Sequence, residues 1–192
     1  MTEATRASER DTAYANAQDF CRIFDEDMSS LYLLSFLLTA DHEKAEKCFV
    51  TGLEDSTEGR PVFKEWARSW ARRTIIQNAV RAIAPRPLGG TDWSSALARD
   101  NGRTAPVGGA EVSAILGLRP FERFVFVMSV LEHYSDQDCS VLLGCTRRDM
   151  ITARVRALQQ IGSSRPSSFG PRAMGAGIRA SDFDSGFESP RL

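Results

Sequence analysis

Apolar residues recur at helical spacing through most of residues 19–161, the pattern of helices that each bury one side. Asp19–Phe24 predicts a short helix with Phe20, Ile23 and Phe24 on one side. Met28–Thr39 carries Leu31, Leu34 and Leu38 at helical spacing. Tyr32, Leu33, Phe36 and Leu37 lie on its other sides, so it is apolar nearly all round and predicts a buried helix, with Asp27 or a neighbour as its cap. Asp41 caps a helix running to about Asp55, with Ala45, Cys48, Phe49 and Leu53 inward, and 56–61 is a turn. Val62–Ile83 reads as one long helix with Phe63, Trp66 and Trp70 on a stripe continued by Thr74 and Ile75. Prolines and glycines then punctuate residues 84–109, the composition of a linker, with one helical turn at Trp93 and Leu97. Ala110–Leu116 is a short helix ending at Gly117. Pro120, at a first turn where its missing N–H costs nothing, opens a helix to Glu132 with Phe121, Phe124, Val125, Met128 and Leu131 as its core stripe.

The stretch 134–161 (YSDQDCSVLLGCTRRDMITARVRALQQI) is the most specific. Ser135 caps a helix starting at Asp136, and Val141, Leu142 and Leu143 give it an apolar end. Gly144 stops it, because glycine takes the left-handed conformation cheaply. Thr146 caps a second helix with Asp149 as its capping-box partner. Met150, Ala153, Val155, Ala157 and Leu158 are expected to form the buried side of that helix. Arg147, Arg148, Arg154 and Arg156 fall mainly elsewhere. A short helix, a glycine turn and a basic second helix is the pattern of a helix-turn-helix, whose second helix enters the DNA major groove. An ordinary helical hairpin with solvated arginines has the same pattern.

These elements predict an all-α chain of two small helical domains, residues 19–83 and 110–161. A flexible tether (84–109) is expected to join them, between a flexible tail (1–18) and a Ser-, Gly-, Pro- and Arg-rich tail (162–192), with scattered Phe169, Phe183 and Phe187, that is expected to be disordered. Net charge is −1, so any nucleic-acid signature is local. Residues 19–55 carry nine acidic and three basic residues, whereas 62–83 carries Lys64, Arg68, Arg72, Arg73 and Arg81 against Glu65 alone. The basic helix therefore either complements its acidic neighbours or meets nucleic acid, with Trp66 available to stack on unpaired bases. Cys21, Cys48, Cys139 and Cys145 form no CxxC pair and read as reduced thiols of a cytosolic protein. The first thirty residues hold no signal-peptide core, and the apolar run Leu31–Leu38 is far short of the ~20 residues of a membrane span. A soluble, cytoplasmic protein without a membrane partner is expected. No phosphate loop, HExxH, GxSxG or carboxylate pair among apolar neighbours is present. His42 reads as solvated, and the spacing of His133, Cys139 and Cys145 is no recurring zinc pattern. The sequence thus predicts a non-enzyme with no catalytic residue, metal or cofactor.

Two stretches together resemble the small two-domain sigma factors of bacterial RNA polymerase, the extracytoplasmic-function type of the sigma-70 family. Leu31 through Ala40-Asp41, Lys44-Ala45-Glu46, Leu53, Phe63-x-x-Trp66 and Ala71-Arg72 resemble their second conserved region. Leu118-Arg119-Pro120, Arg123, Val125-Phe126-Val127, Leu131-Glu132-x-Tyr134-Ser135, Leu143-Gly144-Cys145-Thr146 and Arg156-Ala157 resemble their fourth. The resemblance implies two partners, polymerase core and promoter DNA, with an anti-sigma regulator as a further candidate. It implies that the first domain binds core and helps open the minus-ten element, while the helix-turn-helix reads the minus-thirty-five element. Candidate DNA-binding residues are Thr146, Arg147, Arg148, Ile151 and Arg154, with Lys64, Arg68, Arg72 and Arg73 facing upstream DNA or polymerase. Candidate polymerase-binding residues are Lys44, Glu46, Lys47 and Val50. Where the family usually has an acidic residue and then a glutamine in that helix, this chain has Lys47 and Val50. The usual arginine of the recognition helix falls one place late, at Arg154. Two rival readings stay open: a helix-turn-helix regulator that has lost polymerase binding, and a helical module that binds proteins and no nucleic acid.

Overall fold

A computed structural model describes residues 13–87 and 109–164. The expected tails, most of the expected linker and the turn at Trp93 and Leu97 lie outside the described residues. Within them the chain is all-α: α1 (Ala17–Glu26), α2 (Met28–Thr39), α3 (His42–Glu58), α4 (Ala67–Ile83), α5 (Ala110–Leu116), α6 (Pro120–Phe126), α7 (Asp136–Leu143) and α8 (Arg147–Ser164). A 3-10 turn, Lys64–Trp66, precedes α4, and a π turn, Val127–Leu131, extends α6.

α1 starts earlier than expected because Asn16 caps it. The Asn16 side chain accepts the Asp19 N–H (2.9 Å) and the Asp19 carboxylate accepts the Asn16 N–H (3.1 Å). α2 has the predicted bounds and buries Leu31, Leu34, Phe36, Leu37 and Leu38, although Met28 and Leu33 stay exposed. Its buried Ser35 and Thr39 hydroxyls donate to the carbonyls of Leu31 (3.2 Å) and Ser35 (2.9 Å), so no polar group is stranded in that face. Asp27 does not act as its cap; the carboxylate is taken by Arg68. Asp41 does cap α3, accepting the Lys44 N–H at 2.9 Å.

α3 and α4 pack closely because small residues face each other. Ala45, Cys48, Gly52 and Ser56 lie buried on α3, and Ala67, Ala71, Thr74 and Ala79 on α4. At Gly52 a Cβ would stand 2.9 Å from Ile75 Cγ1, so a larger residue would force Ile75 or the helix to shift. The Ser56 and Thr74 hydroxyls hydrogen-bond across the seam at 3.0 Å.

The helix expected over 62–83 is shorter at its start. Ala15 donates its N–H to the Val62 carbonyl (2.7 Å), and Tyr14 stacks on Phe63. This pairing holds Phe63 extended and delays the helix to Ala67. The expected Phe63–Trp66–Trp70 stripe is therefore not the core stripe of α4. Trp66 is 59% exposed, Phe63 is exposed and Trp70 half-buried, while the alanines and Thr74 face inward.

α6 is the centre of the second set, with Phe121 through Met128 all buried. The π turn shifts the register after Phe126, so Leu131, expected in the core, is 40% exposed. One cluster of buried apolar side chains runs through both sets, from Phe20 and Leu38 to Phe124 and Ala157. Two polar clasps accompany it. The Arg123 guanidinium, 5% exposed, donates to Leu38 O (3.2 and 3.3 Å) at the C-terminal end of α2 and to Leu118 O (3.2 Å). Burial without a carboxylate partner lowers its pKa to about 10. Arg72 of α4 forks onto Glu132, which is 9% exposed at its side chain, through bonds of 2.6 and 2.7 Å. Among the described residues no helix is long and apolar enough to cross a membrane.

Candidate nucleic-acid interface

α7, the glycine turn and α8 form the predicted helix-turn-helix, and local chemistry sets each part. The Ser135 hydroxyl accepts the Asp138 N–H (3.1 Å) and opens α7. Gly144 sits at φ +60°, where its N–H closes on Ser140 O, and Cys145 N–H bonds the same carbonyl at 3.1 Å. Thr146 and Asp149 form the expected capping box, Asp149 N–H to Thr146 Oγ1 (3.2 Å) and Thr146 N–H to the Asp149 carboxylate (3.3 Å).

The buried side of α8 is Met150, Ala153 and Ala157, packed on α6 and against Cys139 and Leu143 of α7. Val155 and Leu158, expected in that face, are 47% and 49% exposed. The small Ala153 and Ala157 bring α8 so close that the core positions lie at i, i+3 and i+7 from Met150, and Val155 and Leu158 fall outside that stripe. Val141 of α7 is also turned out, at 65%. The outward surface of α8 thus offers Arg148, Ile151, Thr152 and Val155 together, a mixture of guanidinium, hydroxyl and methyl groups. Such groups suit phosphates, base edges and thymine methyls.

The arginines of this unit divide by role. Arg154 Nη1 donates to Asp136 at 2.8 Å and Arg147 Nε lies 3.8 Å from the same carboxylate, so both tie α8 to the start of α7. Arg148 has no carboxylate partner among the described residues. No local pattern marks the Asp136 contact, because the partners are brought together only by the turn.

The basic residues of the first set lie on or just before α4 and meet acidic partners of this chain. Lys64 pairs with Asp19 (3.5 Å), Arg68 with Glu26 and Asp27, Arg81 with Asp55 (3.2 Å), and Arg72 with Glu132. The hydrogen bonds that Arg68 donates to Asp27 and Glu26 hold its pKa above the ordinary value. Arg73 has no such partner among the described residues and lines a groove of about 710 Å³ with Trp66, Trp70, His133 and Tyr134. Burial raises the Tyr134 pKa there. The α4 cations are thus about 40 to 60 residues from Glu26, Asp27 and Glu132 in sequence yet adjacent in space.

Lys44, Glu46, Lys47 and Val50 all lie exposed on α3, and no described side chain covers Val50, at 47%. His42, expected to be solvated, remains exposed but stacks on Phe36 (4.3 Å between centroids), and its Nδ1 bonds the Tyr32 hydroxyl at 3.2 Å. Cys139 is fully buried and its pKa rises to about 11, and burial also raises Cys48 and Cys145, so these three are thiols at neutral pH. No group of three His, Cys, Asp or Glu among the described residues is arranged to hold a metal ion. Compared with models of known protein families and with curated protein sequences, the chain matches none.

Proposed function

We propose that this chain is a sigma-factor-like transcription initiation protein that binds promoter DNA through α7 and α8 and engages RNA polymerase core through α3. The observation that carries the DNA-binding part is the outward surface of α8. Arg148, Ile151, Thr152 and Val155 project from a helix whose opposite face is fixed by Met150, Ala153 and Ala157. A rigid helix with a free guanidinium amid small polar and methyl groups is the element that reads a major groove. Lys64 and Arg68 are exposed cations paired with Asp19, Asp27 and Glu26, whose side chains are 16%, 30% and 47% exposed. Water screens pairs whose cation is exposed, so these cations can exchange partners to meet DNA or polymerase. Arg72 is held more firmly by Glu132.

Titration of labelled duplex DNA over a range of salt concentrations tests this reading. The wild-type chain should lose affinity steeply with salt, and Arg147→Ala with Arg148→Ala should weaken binding and flatten the log–log slope by about 1 to 2. Binding that is unchanged in the double variant overturns the assignment. A second reading, a DNA-binding regulator without polymerase engagement, is favoured by Lys47 and Val50 on the exposed face of α3. In that case the chain binds duplex and fails to retain polymerase core.

A further inference from the structure

The α2–α3 turn, the end of α4, the α5–α6 turn and α8 enclose a second groove of about 970 Å³. Lys44, Arg86, Arg119, Arg148 and Arg156 line it from these four separate segments. All five are exposed, and none has an ion-pair or hydrogen-bond partner for its side chain among the described residues. They contrast with the cations elsewhere. Arg22, Lys64, Arg68, Arg72, Arg81, Arg147 and Arg154 are all ion-paired. Among the described residues only Lys47, Arg60 and Arg73 are unpaired outside the groove, so the unpaired positive charge of the described residues is concentrated in it.

The carboxylates present do not relieve that concentration. Asp41 is committed to capping α3 and Asp149 to the Thr146 capping box, while Glu122 is 5% exposed. With Arg123, which is held by backbone carbonyls, the lining carries six cations against these three acids, a surplus of three positive charges. Cations converging from several walls repel one another, and a multiply charged anion in their midst relieves the repulsion. The volume lies in the range of small-molecule sites. Ile83, Pro85 and Leu116 add apolar wall beside the charges. A duplex is a wide rod that engages a projecting face such as that of α8; a concave site walled on several sides suits a compact ligand.

We propose that this groove is a polyphosphate site whose ligand class is a nucleoside triphosphate. Its phosphate chain is held by Lys44, Arg119 and Arg156 and its nucleoside lies toward Ile83 and Pro85. The proposal does not depend on the transcriptional reading: Lys44 and Arg148 figure in both, while Arg86 and Arg119 lie outside α3 and the helix-turn-helix.

Isothermal titration of the full chain in magnesium-free buffer, with ATP, inorganic tripolyphosphate and AMP as probes, tests it. ATP and tripolyphosphate should bind, with AMP at least ten-fold weaker because its charge falls short of the surplus. Affinity for ATP should fall with salt. Lys44→Glu with Arg119→Glu should reduce it at least ten-fold, while Arg22→Glu with Arg60→Glu leaves it unchanged. Both pairs are exposed, and a thermal melt without ligand verifies that each variant is folded. Absence of ATP binding, or binding that ignores chain length and Lys44→Glu/Arg119→Glu alike, overturns the proposal. If that variant leaves ATP untouched but weakens duplex binding, the groove serves the nucleic-acid backbone and the proposal is again overturned.

Discussion

Replacing Glu132 by Gln removes one charge and keeps the shape of the side chain. In the native protein both carboxylate oxygens accept from Arg72, at 2.6 and 2.7 Å, and the Glu132 side chain is only 9% exposed. An exposed pair contributes about 0–1 kcal/mol, and breaking a fully buried one costs about 3–5 kcal/mol. Arg72 is 34% exposed and keeps a bond to Ser30 (3.1 Å), so the loss belongs between these limits, at about 2 kcal/mol. That is roughly a thirty-fold change in the unfolding constant and a fall of about 1 M in the urea midpoint for a chain of this size. Urea unfolding of wild type, Glu132→Gln, Arg72→Met and the double variant completes a cycle. The expected coupling is about 1.5 kcal/mol or more, because the second substitution has little left to break. A coupling below about 0.5 kcal/mol would refute the reasoning and reduce the fork to a surface ion pair.

Three further outcomes are expected. Arg123→Met should alter the alkaline behaviour. Burial lowers the native guanidinium to about 10, below its value in the unfolded chain, so above about pH 10 the unfolded state holds more protons and wild-type stability rises with pH relative to the variant. The difference in unfolding free energy between the two proteins should be flat below about pH 9 and shift by about 1 kcal/mol in favour of wild type by pH 11, as read by denaturant unfolding. Gly52→Ala should destabilise by about 1 kcal/mol or more in thermal unfolding despite alanine's better helix propensity, because the new methyl meets the fully buried Ile75. Gly144→Ala should cost about 1 kcal/mol through its positive φ alone, since nothing lies within 4 Å of the added carbon, and Gly144→Asn should cost less in the same melt.

Helix existence was legible because caps and stripes coincide. Asp41, Ser135, Gly144 and the Thr146–Asp149 box all act as their residue types suggest. Burial was less legible where a helix has more apolar residues than its packing needs. On α8 the two alanines take the core, and Val155 and Leu158 are left outside; before α4 the extended Phe63 delays the helix, and Trp66 in the turn that precedes it stays outside. Long-range polar pairing was not legible at all. Arg123 reaches Leu38, and Arg72 reaches Glu132 across 60 positions, which no local pattern encodes. The basic groove was missed for the same reason: Lys44, Arg86, Arg119 and Arg156 are far apart in sequence, and a net charge of −1 conceals their convergence.

Reconstitution with bacterial RNA polymerase core puts the proposed engagement of polymerase and promoter DNA to the test. Tagged chain should retain core in a pull-down and direct specific transcription starts from a library of genomic fragments, and Lys47→Glu with Val50→Gln should not weaken retention. Failure to retain core, with duplex binding intact, would exclude polymerase engagement and leave a helix-turn-helix regulator in its place.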